Sequence, residues 1–209
     1  MKFYDFAMAP NARRVRIFAA EKGIKLDTIS VDLSKREQME HAYKAINPRL
    51  AVPALVLDDG TLLTESVAIC RYLEELHPEP ALFGDNPKER AIVEMWHRRM
   101  ELEGMQAAAE GIRNSVEFFA GRAIAGPANF EQIPELAERG KQRVDIFFNM
   151  LEDRLAQSAF VAGPSYSVAD IAALVACDFS KVLKKRVGDD RPNLKRWYAE
   201  VSSRPSAKA

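Results

Sequence analysis

What most restricts this chain is a change of periodicity at residues 77–87. Before that point, short apolar runs of strand length take turns with helical patterns; after it, every periodic stretch is helical. The divide itself carries Pro78, Pro80 and Pro87 with Gly84 and Asn86, too many breakers for any regular element. This pattern predicts an α/β domain over residues 1–77, a linker over 78–86 and an all-α domain over 87–209.

In the first part, Lys2 to Phe6 reads as a strand, and Asn11 to Lys22 as a helix with Val15, Phe18 and Ala19 on one face. Arg13, Arg14, Arg16 and Glu21 fall off that face, and Gly23 is a natural stop. Leu26 to Val31 follows as a strand and Lys35 to Ala45 as a polar helix. Ala54 to Leu57 is apolar throughout, as a central strand requires, and Asp58-Asp59-Gly60 turns into Thr61 to Leu63. Glu65 to Leu76 closes the set as a helix offering Val67, Ile69, Leu73 and Leu76 for burial, which makes the order βαβαββα. The second part predicts one long amphipathic helix from Pro87 to about Phe119, where Gly104 and Gly111 mark a bend or a close helix contact. A loop over Gly121 to Asn129 precedes helices over Glu131 to Leu155, Ser167 to Arg186 and Pro192 to Ser202.

Composition narrows the function classes. Lys and Arg total 30 against 30 Asp and Glu, and both halves are balanced, which leaves no basic footprint for nucleic acid or an anionic membrane. No apolar run reaches the roughly 18 residues of a spanning helix, and the first residues enter a strand pattern without a leader pattern, so the expected location is the cytoplasm. Cys70 and Cys177 are far apart, each inside a helical pattern, and form neither a redox pair nor a zinc cluster; both are expected as small buried hydrophobes.

Chemistry gathers at two steps of the first domain. Proline cannot donate to a sheet ladder, so Pro53 suits the first residue of the Ala54 strand, and a cis bond there would turn the Val52 backbone groups outward to pair with an extended, peptide-like ligand. Just beyond, Glu65 and Ser66 open a helix whose free amides and dipole attract a carboxylate, with the Ser66 hydroxyl beside them. Taken singly, each is an ordinary strand or helix start. The second domain adds Ser167-Val168-Ala169-Asp170, a capping box that serves folding rather than chemistry.

In this order, the Pro-Ala-Leu and Glu-Ser steps and the S-x-x-D box after Ala162-Gly163 resemble the cytosolic glutathione transferases, and the likeness extends to Trp197-Tyr198 and Arg204-Pro205. The resemblance implies a thioredoxin-like, mixed-sheet first domain that binds glutathione as co-substrate, a helical-bundle second domain, a twofold homodimer and no metal. It implies Val52 and Pro53 at the cysteinyl backbone, Glu65 and Ser66 at the γ-glutamyl end, and Gln38, on the second helix, at the glycyl carboxylate. Ala51 stands where many relatives carry Lys or Gln; Arg49 either compensates or is a solvated loop arginine.

Such an enzyme must stabilise a thiolate whose unperturbed pKa is about 8.5. The family's hydroxyl or thiol after the first strand is replaced here by Ala9, which donates nothing, while Tyr4 lies within the strand. The stretch Ala9-Pro10-Asn11-Ala12-Arg13-Arg14-Val15-Arg16-Ile17 is most similar to the atypical fungal-type class and its bacterial relatives, which lack that group. Asn11 is the candidate donor, or it merely caps its helix. Arg113, in the polar patch Arg113-Asn114-Ser115, is a second candidate, by charge or through a held water; alternatively, the patch is a solvated helix end. The electrophile would lie between the first loop and the helical domain, against Met8, Met105, Ala108, Phe118 and Phe119, though such a stripe is more often core. The expected activity is conjugation of glutathione to a hydrophobic electrophile, in detoxification or small-molecule metabolism. The alternatives are glutathione-dependent peroxide reduction and a non-enzymatic glutathione-binding, stress-associated protein.

Overall fold

The structure, a computed structural model, describes residues 1–209. The chain packs into two units, one of Met1–Pro80 with Ile124–Asn129 and Ala209, the other of Ala81–Ala123 and Phe130–Lys208.

The first unit is built on strands β1 (Lys2–Asp5), β2 (Thr28–Ser30), β3 (Ala54–Val56) and β4 (Leu62–Thr64), in the sheet order β2-β1-β3-β4. β1 and β2 run parallel, so the chain between them must cross over, and helix α1 (Pro10–Glu21) makes that crossover. β3 runs antiparallel to β1, with Ala54 opposite Tyr4, and β4 antiparallel to β3, with Thr64 opposite Ala54. α1 buries Val15, Ile17, Phe18 and Ala19 and packs against α3 (Ser66–Leu76), which buries Ile69 and Leu73. This is a thioredoxin-like domain with a mixed four-stranded sheet. Gly23 ends α1 at φ 65°, a left-handed conformation open to glycine without Cβ strain. Lys22, with its side chain wholly buried, donates to the carbonyls of His77 (2.6 Å) and Pro80 (2.7 Å) and pairs with Glu74 at 2.6 Å, so the start of the proline-rich segment is fixed to the end of α1.

Three sequence expectations need correction here. The polar helix over 35–45 is broken: Asp32 accepts from the Ser34 amide (2.9 Å), Glu37 accepts from the Asp32 amide (2.6 Å), and Arg36 turns left-handed at φ 62°. Side chains that satisfy nearby backbone groups compete with a helix, and only α2 (His41–Ile46) forms, leaving Gln38 in a separate 3-10 turn, Glu37–Met39. Arg14, which falls off the apolar face in the sequence pattern, is buried all the same. Leu76, at the last residue of α3, is exposed.

The second unit is a bundle of α4 (Pro87–Arg99), α5 (Gln106–Arg113), α6 (Pro134–Leu155), α7 (Val168–Ser180) and α8 (Pro192–Ser203). A π-helical turn, Met100–Met105, joins α4 to α5, and the predicted continuation to Phe119 stops at Arg113. It stops because Asn114 Nδ2 donates to the Glu110 carbonyl (2.9 Å) and Ser115 Oγ to the Gly111 carbonyl (2.7 Å), side chains occupying the orphan acceptors of the helix end. The Gly140 and Gly111 backbones touch: a Cβ on Gly140 would lie 2.3 Å from the Gly111 nitrogen. α7 is buried from Val168 to Cys177 and opens with the capping box, since Ala169 N–H donates to Ser167 Oγ (3.3 Å) and Ser167 N–H to Asp170 Oδ2 (3.0 Å). Asp170 also accepts from Val161 N–H and Trp197 Nε1, each at 2.9 Å, which ties the start of α7 to the preceding loop and to α8. Cys70 and Cys177 are both buried, and burial pushes the Cys177 thiol up. No helix is long and apolar enough to cross a membrane.

Candidate active site

The sheet register gathers most of the candidate residues at one end of the first unit. Tyr4, Ala54 and Thr64 lie side by side across β1, β3 and β4. The β1–α1 loop, the Val52-Pro53 step and the start of α3 therefore follow them at the same edge, and the segment after β2 that carries Gln38 leaves from that edge too. The Val52-Pro53 peptide is cis, and Val52, though buried, has an N–H and a C=O that take no hydrogen bond within the chain. The preceding carbonyl, that of Ala51, is by contrast saturated: Tyr43 Oη and Asn47 Nδ2 both donate to it at 2.7 Å.

α3 begins without a side-chain cap, so its first amides face outward unpaired. Its N-cap residue, Glu65, holds φ at 66°, a strained conformation for a residue with a Cβ, of the kind that costs about 1–3 kcal/mol. The Glu65 carboxylate is exposed and makes no bond within the chain, and the Ser66 hydroxyl, on a buried residue, is likewise unpaired. Gln38 is half-buried, with Oε1 shielded and without a partner. Arg49 is exposed; its backbone amide donates to Asn47 Oδ1 (3.0 Å), while its guanidinium stays unpaired.

The loop after β1 is held by Arg16, which pairs with Asp5 at 2.6 Å and donates to the Ala7 carbonyl at 2.9 Å. Ala9 is the N-cap of α1 and Pro10 its first residue, with no side-chain cap. The reading of Asn11 as a cap is thereby corrected, because it is the second helical residue, two positions past the N-cap and beyond the reach of the cap bond. Asn11 is exposed and its Oδ1 accepts from Arg14 Nη1 at 3.3 Å. A guanidinium can only donate, so the amide oxygen must face Arg14 and the Asn11 NH2 group is left outward as a donor.

The polar patch at the end of α5 belongs to the second unit, with Asn114 buried, Arg113 half-buried and Ser115 exposed. Arg113 donates to the carbonyls of Ala123 (3.0 Å) and Arg122 (2.6 Å), with its guanidinium 4.5 Å from the centre of the Phe119 ring. Asn114 accepts from Ile133 N–H at 2.9 Å, and Gln132 donates to the Arg113 carbonyl at 2.8 Å. Each of these side chains fastens the helix end to the irregular segment that follows. Burial, reinforced by Arg122, pulls the Arg113 pKa down from its usual value. Of the expected apolar wall, Met105 and Ala108 are core, Met8 is almost fully exposed, and Phe118 is half-exposed with its ring edge to Phe119 at 5.2 Å between centres.

Comparison with known proteins gives this geometry its context. Residues 9–76 match the model for the glutathione S-transferase N-terminal domain, and residues 113–205 that for the C-terminal domain. Glutathione S-transferase 2 of Saccharomyces cerevisiae is 32% identical over 211 residues, covering 100% of this chain and 88% of its own. The chain belongs to the glutathione S-transferase family. Among solved structures, a glutathione S-transferase domain-containing protein of Marinobacter aquaeolei superposes with a TM-score of 0.90 at 32% identity, covering 99% of each chain. A class Gtt2 glutathione S-transferase of Vibrio parahaemolyticus gives 0.84 at 36% identity, covering 99% of this chain and 94% of that one. The fungal-type kinship and the glutathione transferase assignment follow from these relatives.

Within this transferase, the N-terminal match takes in every first-unit candidate from Asn11 to Ser66, whereas Arg113 is the first residue of the C-terminal match. Sequence reasoning missed Arg14, whose burial no periodicity announces, and it missed the pair Tyr43 and Asn47. The Asn47-Pro48 turn signal just ahead of Val52-Pro53 was the available clue to the latter.

Proposed function

We propose that this glutathione transferase binds glutathione along the Val52 edge and adds its thiolate to an electrophilic carbon of a hydrophobic substrate. The observation that carries the reading is the register, which sets an unbonded Val52 backbone next to the uncapped start of α3. The Val52 N–H and C=O suit the cysteinyl backbone, with Pro53 ending the ladder beside them. The amides of α3 and the Ser66 hydroxyl suit the γ-glutamyl carboxylate, and the Glu65 carboxylate its ammonium group. Gln38 and Arg49 offer donors for the glycyl carboxylate.

In the conjugation, the thiol proton leaves to solvent, the sulfur forms a bond to carbon, and the electrophile's leaving group departs or its π bond takes up the electron pair. Asn11 supplies the sulfur with an outward NH2 group at the start of α1, where free amides also favour an anion. Arg113 we assign to the loop it fastens, not to the sulfur. The rest of the reading is glutathione on residues 1–77 and an electrophile wall from residues 87–209, in a cytoplasmic homodimer that serves detoxification and needs no metal. Ala9, which brings no hydroxyl to the loop, favours a second reading in which glutathione is bound but not activated.

The test is the thiol pKa of bound glutathione, followed by ultraviolet thiolate absorbance against pH, in wild type and Asn11→Ala. A clearly lowered value in wild type that is lost in the variant supports activation through Asn11. A value near that of free glutathione, with binding intact, moves the protein to the binding-only class.

A further inference from the structure

The Ala51 carbonyl and the Val52 N–H belong to one peptide unit, and that unit is planar and trans, so the two groups point in opposite directions. Both acceptor sites of the carbonyl are engaged, by Tyr43 Oη and Asn47 Nδ2 at 2.7 Å each. Neither donor is free to drift. Asn47 is 1% exposed and its Oδ1 is held by the Arg49 amide at 3.0 Å, which forces its NH2 group toward Ala51. The Tyr43 ring packs edge-on against Tyr4 with centres 5.8 Å apart, and burial pushes its hydroxyl up to about 12, keeping it a protonated donor throughout the neutral range. Leu50, buried at φ 55°, turns the chain between Asn47 and Ala51, so the clamp grips a tight loop rather than a straight strand.

We infer that Tyr43 and Asn47 are positioning residues that aim the Val52 N–H at the cysteinyl carbonyl of glutathione by holding the opposite end of the same peptide. Neither touches the ligand. Their effect passes through the peptide plane, because rotating the Ala51 carbonyl away from its donors would swing the Val52 N–H out of line. This rests on the proposed glutathione reading and adds to it the residues that orient the binding edge.

The test titrates glutathione calorimetrically into wild type, Tyr43→Phe and Asn47→Ser. It then repeats the titrations with the analogue whose cysteinyl-glycine amide is an ester, a weaker carbonyl acceptor. Tyr43→Phe keeps the ring and its contact with Tyr4 and removes a single donor. One neutral hydrogen bond corresponds to about threefold to tenfold in affinity, so the Kd for glutathione should rise by about that factor in each variant, with kcat at saturation unchanged. The ester should cost wild type more affinity than it costs Tyr43→Phe, because the variant no longer aims the N–H that reads the carbonyl. Asn47→Ser carries the same test if Tyr43→Phe does not fold. If both variants bind glutathione within about twofold of wild type, or if they weaken while the ester penalty stays at the wild-type value, the inference is overturned. If wild type itself binds no glutathione, it is the proposed function that falls, a result distinct from either of those.

Discussion

Replacing Asp170 by Ala should cost this protein more stability than any single change at its surface. The carboxylate accepts from Val161 N–H (2.9 Å), Ser167 N–H (3.0 Å), Ser167 Oγ (3.1 Å) and Trp197 Nε1 (2.9 Å), and the residue is 0% exposed. Alanine leaves two backbone amides and an indole N–H without acceptors in a dry core, each at about 1–3 kcal/mol. Against this stands the relief of a burial penalty. Burial pushes the Asp170 carboxyl up to about 6, from 3.8, despite the donors around it. Two pKa units correspond to about 3 kcal/mol between protonation states, so at neutral pH the net loss should fall within about 0–6 kcal/mol, centred near about 3. The sign of the pH dependence is specific. A carboxyl whose pKa is higher folded than unfolded binds its proton more tightly in the native state, so its contribution is greatest below the unfolded value. That contribution is lost as pH rises through about 4 to about 6. Asp170→Asn keeps one acceptor and does not titrate, so its penalty relative to wild type should shrink across the same window. Urea unfolding followed by tryptophan fluorescence, at several pH values on wild type and both variants, measures both effects. A gain in stability in Asp170→Ala at neutral pH, or an Asp170→Asn penalty independent of pH, would refute the reasoning.

Gly140→Ala forces a methyl group to within 2.3 Å of the Gly111 nitrogen, where the contact is backbone on both sides and has nowhere to yield. Thermal unfolding should show a loss at or above the usual overpacking cost of about 1–3 kcal/mol, and a neutral result would mean that α5 and α6 can separate cheaply. Lys22→Met strips the His77 and Pro80 carbonyls of a donor and leaves Glu74 without its buried cation. Breaking such a pair typically costs about 3–5 kcal/mol, and limited proteolysis should cut within residues 77–86 faster than it does in wild type. Arg113→Met should loosen the segment after α5, read as faster amide exchange at Arg122 and Ala123, while the thiol pKa of bound glutathione stays at the wild-type value; a raised pKa would return Arg113 to the chemistry.

The parts of this protein that were legible in its sequence are those governed by neighbours within a turn or two. The βαβαββα element order along the chain, the Gly23 stop and the Ser167–Asp170 box follow from periodicity and local hydrogen bonding, and the structure has each of them. The polar helix over 35–45 failed although it is equally local, because apolar periodicity carries no information on Asp32 and Glu37 bonding the backbone in its place. At the site, Val52, Glu65 and Ser66 stood out because an unpaired strand start and an uncapped helix start leave a mark in residue type. Their supports did not. Arg14 turns the Asn11 amide from the next turn of α1, and Tyr43 reaches Ala51 across eight positions, yet as residue types they read as a surface arginine and a core tyrosine. The distinction has a physical origin: a group that meets a ligand must leave its own hydrogen bonds unmade, whereas a group that aims it is recognised only by the bonds it makes, and those need the folded chain.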